Sequence, residues 1–549
     1  MTSTSLASAA AAPLERYVEA LRAQWLLPGC AVAVTGADAT LLALHLGHAD
    51  LDTRTPVTPS TAFEIGSISK SITSLAVLGL AEDGALSLDD AVTRHLPWFE
   101  VGSRHGPITV RSLLNHTSGL IAGSDALPDH LAQIWALRET QTGSPPGSFF
   151  HYSNVGYQLL GAIVEQVTGR PASDVVAERV LVPAGMTAST ARITHDFRSR
   201  LATGYEPLHD DRPFLPGDPP RPATWFEIEA ADGNVATPLE DMARYARLLL
   251  RRGAADGGRV VSERSFALLL ETVAPEGEPP WPDSRYGLGL NVARVDGHEY
   301  VDHGGGMVGY CSHLVADLTA GLAAVVLTNA PGDSPVAVQI ARAAIALARA
   351  ATEGRELPAP PQADRRSLPD AEQLVGTYGE GEARIEVRPS PAGLVLESAD
   401  GGGALYDAGG GRLASDHPRW RQFHHRCLRD GGARWWVCGP EALPEAGAAP
   451  AAEPAPPPGS EAYVGHYRSF TPWFTSFRIV VRRGRLHLVA AQGTEAAQDD
   501  PELVPLGEAT FRVGSDPRLP ERIVFGPVVD GRCISVDLDG CRYSRSFVP

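Results

Sequence analysis

Two proline-rich segments divide the chain and restrict how it can fold. Residues 353–369 combine proline with charged side chains, and residues 444–460 consist mostly of proline, alanine and glutamate. Segments of this composition cannot bury a core and act as extended linkers. They leave three blocks, residues 1–352, 370–443 and 461–549, and a chain of 549 residues is long enough for three domains. We therefore predict one large N-terminal domain followed by two small ones.

The first block mixes strand and helix patterns. Strand pairs are predicted at residues 29–48 and 308–328, with turns near residues 36–38 and 319–321. Apolar residues at helical spacing, with Pro238 at a favoured first helical position, predict helices over residues 67–83, 154–168, 238–251 and 334–350. Strands near both ends with helices between them favour an α+β domain. Its antiparallel sheet would be closed by the two ends of the block and flanked by helices.

The second and third blocks lack helical periodicity. Residues 374–378 (Leu-Val-Gly-Thr-Tyr) and 463–467 (Tyr-Val-Gly-His-Tyr) form one internal repeat, which opens each block. Short alternating segments separated by glycine-rich turns follow in both. This pattern predicts two small antiparallel β-barrels or sandwiches.

Charge and composition exclude several partners. The chain has 47 Lys and Arg against 65 Asp and Glu, a net charge of −18, which argues against nucleic acid or an anionic membrane as the main partner. No apolar run is long enough to span a bilayer, and the N-terminus lacks the basic region of a signal peptide. With only six scattered cysteines, we expect reduced thiols and a cytoplasmic protein, although Cys427 with Cys438 and Cys533 with Cys541 could bridge neighbouring strands.

A Ser-x-x-Lys motif is the first element with chemical meaning. Ser67 and Lys70 are three residues apart at the start of a predicted helix, so both side chains face one way. A desolvated lysine there can lose its proton and activate a hydroxyl. The motif alone is also compatible with a capping serine and a surface lysine.

Two further segments change that balance. Tyr152 and Asn154 precede a predicted helix, and a tyrosine beside an ammonium group can act as a base. The run His303-Gly304-Gly305-Gly306 lies in a predicted strand, where glycines let a substrate approach the backbone and can free an N–H for an oxyanion.

In this order the three elements resemble the motifs of the serine β-lactamase and penicillin-binding protein superfamily. Segments 113–119 and 230–236 are similar to its class C branch, and the tandem β-domains are similar to the lipocalin-like barrels of D-aminopeptidases. The resemblance implies a β-lactamase/transpeptidase-like catalytic domain over the first block. It also assigns roles by position. Ser67 would be the nucleophile, and Lys70 and Tyr152 would share the roles of general base and general acid. Asn154 would orient the substrate amide, and His303 would flank the pocket. The glycine strand Gly304–Gly306 would contact the substrate, with the N–H groups of Ser67 and Gly306 forming the oxyanion hole.

One departure from the family bears on the substrate. Where many members carry Lys-Thr-Gly, this chain has His303, Gly304 and Gly305. A neutral histidine and a glycine hold a carboxylate less well than a lysine and a threonine hydroxyl. Penicillins, and peptides with a free carboxylate near the cleaved bond, are therefore expected to be poor substrates.

The sequence thus predicts a serine hydrolase without metal or cofactor. It would act through an acyl-enzyme on a small-molecule or peptide substrate, most like D-amino-acid amides, peptides or esters. A homodimer is compatible with the sequence. Three alternatives stay open: a stand-alone thioesterase or cyclase that releases non-ribosomal peptides, a DD-carboxypeptidase or β-lactamase, and a non-catalytic sensor.

Overall fold

The computed structural model describes residues 3–123, 129–271, 284–368, 370–448, 454–494 and 499–546. Contacts divide the chain into two compact units. The first comprises residues 1–206, 222–361 and 518–520, and the second comprises residues 207–221, 362–517 and 521–549. Both β-rich blocks therefore fall mainly in the second unit, and their division into two separate domains stays a prediction.

Most of the helices lie in the first 352 residues. Their bounds are α1 (Ser3–Gln24), α2 (Ile68–Glu82), α3 (Val92–His95), α4 (Val110–Leu114), α5 (His130–Ala136), α6 (Asn154–Thr168), α7 (Ala172–Val176), α8 (His195–Arg198), α9 (Leu239–Leu250), α10 (Glu263–Leu269) and α11 (Val336–Thr352). A short π-helical segment over Ala177–Leu181 follows α7, and a 3-10 turn over Leu137–Glu139 follows α5. Among the described residues, none of the helices combines the length and the apolar character that crossing a bilayer requires.

The strands of this part of the chain are β1 (Gly29–Gly36), β2 (Thr40–Asp50), β3 (Thr55–Pro56), β4 (Ala62–Glu64), β5 (Tyr205–Pro207), β6 (Pro220–Pro222), β7 (Ala236–Pro238), β8 (Ala254–Ala255), β9 (Gly258–Arg259), β10 (Arg285–Tyr286), β11 (Asn291–Val295), β12 (His298–Met307), β13 (Tyr310–Asp317) and β14 (Leu322–Thr328). Eight of them form an antiparallel sheet in the order β10-β11-β12-β13-β14-β1-β2-β3. The first strand pairs with the last one, which confirms that the two ends of the block close the sheet.

The centre of this sheet is covered on both faces. Strands β13 and β14 are buried at every residue, and β1 is buried at every residue but its last. Because successive side chains of a strand point to opposite faces, complete burial requires packing on both. Helices α9 and α11 pack on these strands, and α1 packs on α11. The predicted α+β class is confirmed.

The predicted helix positions agree with the structure to within about two residues. Gly84, just after α2, has a left-handed φ of +74°, the conformation in which a glycine commonly ends a helix. One detail is wrong: Pro238 is not the first helical residue but ends strand β7 and precedes α9 as its N-cap. Its extended backbone (φ −78°, ψ 162°) lets it pair with Ala62 of β4 before the helix begins.

The second unit contains two eight-stranded antiparallel sheets. The first has β15 (Gly376–Tyr378), β16 (Ile385–Ser390), β17 (Gly393–Ser398), β18 (Gly401–Gly409), β19 (Arg412–Ser415), β20 (His425–Asp430), β21 (Ala433–Cys438) and β22 (Glu441–Pro444), in sequence order, after the short helix α12 (Ala371–Leu374). The second has β23 (Gly465–Arg468), β24 (Ser476–Arg482), β25 (Arg485–Val489), β26 (Leu503–Pro505), β27 (Thr510–Val513), β28 (Arg522–Phe525), β31 (Ser535–Leu538) and β32 (Cys541–Arg545). A separate pair consists of β29 (Val528–Val529) and β30 (Arg532–Cys533).

Both sheets nearly close into barrels. A bridge between Tyr378 and Glu445 joins the end strands of the first sheet, and one between His487 and Glu502 joins those of the second. Each sheet surrounds a cluster of buried apolar side chains, and the first cluster also includes Val480 and Val489 of the second sheet. The prediction of two small antiparallel barrels is confirmed.

The internal repeat performs the same task in both sheets. Tyr378 and Tyr467 are fully buried, and each phenol donates to the carbonyl oxygen four residues earlier, at 2.9 Å on Leu374 and 2.7 Å on Tyr463. The repeated glycine begins the strand in each case. The sequence repeat therefore encodes one structural device used twice.

The predicted linkers and the cysteines can be compared with the structure. Residues 355–364 form neither helix nor strand, but Arg365 is buried and donates to the carbonyl oxygens of Asp407 and Phe214, so the end of the predicted linker is packed. Of the predicted linker 444–460, residues 449–453 lie outside the described residues, and residues 454–456 are exposed. No disulfide joins the six cysteines, all of which are described.

Candidate active site

Ser67 lies at the N-terminus of α2 with its side chain uncommitted to the helix. It occupies the N-cap position but has helical backbone angles (φ −63°, ψ −10°), and its hydroxyl caps none of the helix N–H groups. The preceding Gly66 has a left-handed φ of +50°. Because glycine adopts that conformation without steric cost, the chain can turn sharply from β4 into the helix. The half-buried Ser67 hydroxyl is thus left for another task.

Lys70 is fully buried one turn further along α2. Its Nζ donates to Ser67 Oγ at 2.8 Å and to the carbonyl oxygen of Asp232 at 2.9 Å. The alternative of a capping serine and a surface lysine is therefore wrong on both counts. A buried amine with carbonyl and hydroxyl partners is held in one position beside the hydroxyl that it would activate.

Other polar side chains of α2 hold the segment that supplies the Asp232 carbonyl. Thr73 Oγ1 donates to the carbonyl oxygen of Ala231 at 2.8 Å, and Ser69 Oγ accepts the N–H of Val235 at 3.2 Å. Together with Lys70 they bind this segment along one face of the helix. The sequence motif 230–236 therefore lies at the site, where it orients the amine.

Tyr152 lies just before α6 with its ring centroid 5.0 Å from Lys70 Nζ. Ser153 is the N-cap of α6, and its hydroxyl accepts the N–H of Gly156 at 3.2 Å. Asn154 is the first residue of the helix and is half-buried, as Tyr152 is. Because the cap fixes where the helix starts, it also fixes the direction in which the preceding tyrosine leaves the backbone.

The glycine strand approaches Ser67 from β12. A Cβ atom on Gly305 would lie 1.9 Å from the carbonyl oxygen of Ile65, and one on Gly66 would lie 2.7 Å from that of Gly306. Ser312 on the neighbouring strand donates to the same Ile65 oxygen at 2.9 Å. The backbone of residues 65–66 thus packs directly on the glycine strand, which brings the main chain of Gly306 beside the start of α2.

His303 is bound on both ring nitrogens inside the protein. Its Nδ1 contacts the carbonyl oxygen of Gly304 and must carry the hydrogen, so its Nε2 accepts the Tyr286 hydroxyl at 2.9 Å. Burial lowers the pKa of His303 to about 4, with a smaller effect from the charge of Lys70. The imidazole is therefore neutral at pH 7 and has no free donor for a substrate carboxylate.

A second layer of buried groups lies behind the glycine strand. His313, which pairs with Gly304 across β12 and β13, has Nε2 3.7 Å from Oδ2 of Asp302. Burial raises the pKa of Asp302 to about 8 and lowers that of His313 to about 3. Burial therefore favours the uncharged form of both groups. No group of three His, Cys, Asp or Glu side chains suited to a metal ion occurs in the described part of the chain.

The structure brings three of the predicted side chains to one place around Lys70. Ser67 contacts its amine, the Tyr152 ring lies near it, and His303 reaches the same aromatic cluster with its ring centroid 6.3 Å from that of Tyr152. Sequence reasoning missed Tyr286, whose isolated position in the sequence gives no signal. It also missed the individual role of His116, although the motif 113–119 contains it.

Sequence comparisons relate the N-terminal part of the chain to known proteins. The sequence profile of the family described as Beta-lactamase matches residues 14–350. Penicillin-binding protein 4 of Amycolatopsis lactamdurans is 32% identical over 328 residues, which cover 57% of this chain and 84% of that protein. Protein flp of Staphylococcus aureus strain MW2 is 27% identical over 312 residues, covering 55% of this chain and 60% of flp.

Two solved structures share the fold. The octameric penicillin-binding protein homologue from Pyrococcus abyssi superposes with a TM-score of 0.58 at 23% identity and covers 79% of this chain and 100% of its own. EstCE1, a hydrolase with promiscuous acyltransferase activity, gives a TM-score of 0.53 at 24% identity and covers 62% and 98%. At these identities the likeness establishes the fold alone.

Proposed function

Because the chain belongs to the β-lactamase family, whose members are typically serine hydrolases, we propose that it cleaves amide and ester bonds through an acyl-enzyme on Ser67. The observation that carries the proposal is the contact between Lys70 Nζ and Ser67 Oγ, made by a lysine that is fully buried. A lysine that serves only the surface charge stays in water. Burial makes the amine easier to deprotonate, which is what a general base requires.

The proposed reaction has two steps. In the first, Ser67 Oγ attacks the substrate carbonyl, its proton passes to the Lys70 and Tyr152 pair, and the same pair protonates the leaving amine or alcohol. The main-chain N–H groups of Ser67 and Gly306 stabilise the oxyanion, and Asn154 orients the substrate amide. In the second, water gives a proton to the same pair and attacks the ester carbonyl, the bond to Ser67 Oγ breaks, the pair returns the proton to Oγ, and the carboxylic acid product leaves.

The residues near the glycine strand favour substrates without a carboxylate next to the cleaved bond. His303 uses both nitrogens internally, and Gly304 carries no side chain. Amides, esters and peptides with an N-terminal D-residue fit this surface better than penicillins. The preference for D-residues is supported by the likeness of the tandem barrels to those of D-aminopeptidases.

Mass spectrometry of the intact protein tests the proposal. We expect a covalent adduct after exposure to a fluorophosphonate or to p-nitrophenyl esters, and turnover of D-alanine amides in preference to L-alanine amides. Ser67→Ala removes the adduct, whereas Ser60→Ala, at an exposed serine of the same segment, retains it. An adduct that survives Ser67→Ala would refute the assignment. Nitrocefin turnover comparable to that of a dedicated β-lactamase would contradict the substrate class.

A further inference from the structure

His116 has a backbone conformation that calls for an explanation. It follows α4 within the motif 113–119, is fully buried, and has a left-handed φ of +57°. This conformation is unfavourable for residues with a side chain other than asparagine, aspartate and, less often, histidine. Such a residue persists where its surroundings demand it, and these residues concentrate at functional sites.

The contacts of His116 surround Tyr152. Its carbonyl oxygen accepts the N–H of His151 at 2.8 Å, and its ring Nδ1 accepts the N–H of Ser153 at 3.0 Å. Between these two anchors, its imidazole stacks on the Tyr152 ring with the centroids 4.1 Å apart and the planes 33° from parallel. One residue therefore binds the backbone on both sides of Tyr152 and covers one face of the phenol ring.

The imidazole of His116 is neutral. A backbone N–H can only donate, so Nδ1 must be the unprotonated nitrogen and Nε2 carries the hydrogen. Burial and, to a lesser degree, the charge of Lys70 hold the pKa of His116 well below its usual range. A ring in this state adds no positive charge beside Tyr152 and takes no proton from it. Its contribution is geometric.

We propose that His116 is the positioning residue for Tyr152, holding the phenol in the place where it shares proton transfer with Lys70. The inference rests on the proposed function, since it matters only if Tyr152 takes part in acylation. The positioning role gives a functional reason for the histidine in the motif 113–119. It also explains why the segment before α6 needs a partner from a different part of the chain, because the N-cap Ser153 fixes only one side of Tyr152.

Two substitutions separate the contacts. His116→Asn suits the left-handed backbone and places an amide oxygen near the position of Nδ1, but it removes the stacked ring. His116→Phe keeps a ring over Tyr152 and removes the acceptor for Ser153. The rate of fluorophosphonate labelling of Ser67 and the kcat and KM for a p-nitrophenyl ester are measured for both. His105→Asn, at an exposed histidine, is the control.

We expect each His116 variant to lower the labelling rate and kcat by about 10-fold or more, because displacing a catalytic group by about 1 Å costs up to about 100-fold. KM should change less than about 2-fold. In a Tyr152→Phe background, the same substitutions should lower the labelling rate by less than about 2-fold, since the group that they position is already disabled. His105→Asn should leave every value unchanged.

Equal losses in both backgrounds would overturn the inference and leave His116 a purely structural residue. Should His116→Phe fail to fold, His116→Asn decides the question alone, because asparagine tolerates the backbone angle. The two proposals fail differently. Labelling that does not depend on Ser67 refutes the proposed function, whereas Ser67-dependent labelling with additive losses refutes only the role of His116.

Discussion

Two adjacent glycines of β12 offer a sharp test of how the oxyanion side of the site is built. A Cβ atom on Gly305 would lie 1.9 Å from the carbonyl oxygen of Ile65 and 2.4 Å from the hydroxyl of Ser312. On Gly304 the nearest atom would be Nδ1 of His313 at 3.6 Å, an ordinary van der Waals distance. Gly305→Ala therefore forces β12 away from the backbone of residues 65–66, and Gly304→Ala is accommodated.

The cost of Gly305→Ala follows from these distances. Overpacking against a backbone atom costs about 1–3 kcal/mol or more, and disturbing the bond from Ser312 to Ile65 adds about 1 kcal/mol. We therefore expect Gly305→Ala to lower the free energy of unfolding by about 2–4 kcal/mol. Because Gly306 moves with its neighbour, kcat/KM should fall by about 100-fold, the penalty for about 1 Å of misplacement.

Thermal unfolding and ester hydrolysis measure both effects. The melting transition of Gly305→Ala should fall by several degrees. Gly304→Ala should melt within about 2 °C of the wild type, because the added methyl group clashes with no neighbouring atom and the alanine lowers the entropy of the unfolded chain. Equal behaviour of the two variants, or a fully active Gly305→Ala, would refute the close packing of residues 65–66 against the glycine strand.

Three further outcomes are expected. Lys70→Met should abolish adduct formation on Ser67 while leaving the melting temperature equal or higher, because an apolar side chain of similar length avoids the desolvation of a buried amine; a lower melting temperature would contradict this. Burial raises the pKa of Glu64 to about 8, so the folded state holds its proton more tightly than the unfolded state. The resulting stability is complete below about pH 4.5 and is lost as the pH rises through 8. Glu64→Gln should therefore gain stability relative to the wild type between pH 5 and pH 8, as measured by melting at both values, and a constant difference would count against it. Tyr378→Phe should cost about 1–2 kcal/mol by leaving a buried carbonyl oxygen without its donor, and Tyr467→Phe should cost at least as much, because its hydroxyl also accepts from Arg545 at 3.1 Å. Ester hydrolysis should be unchanged in both, and a variant that unfolds like the wild type would contradict the role of the repeat.

Local features of the site could be predicted from the sequence. Ser67 and Lys70 are three residues apart, and the regular geometry of a helix places both side chains on one face whatever the rest of the chain does. The start of α6 at Asn154 can also be predicted from the sequence, since a serine precedes an apolar helical pattern. Such predictions need only the few residues on either side.

The long-range contacts could not be predicted in this way. The hydrogen bond from Tyr286 to His303 depends on the register of β10, β11 and β12, which no short pattern specifies. The left-handed backbone of His116 depends on its partners in the segment 151–153. Only the resemblance to a known family predicted that Tyr152 lies near Ser67, because 84 residues separate them in the sequence.

The site is assembled so that each reacting group is held from outside its own element. Lys70 is held by the segment 231–235, the backbone before Ser67 by Ser312 and the glycine strand, and Tyr152 by His116. Groups held in this way need no reorganisation when charge develops, which is the condition under which fixed dipoles lower a barrier most. The arrangement also explains why burying Lys70 is acceptable. Its partners are held by contacts of their own, so the hydrogen bonds that they make to the amine offset part of the free energy of desolvation. An acyl-enzyme built on this frame should therefore lose activity sharply with small displacements of the supporting residues, even where the Ser67 and Lys70 side chains themselves are untouched.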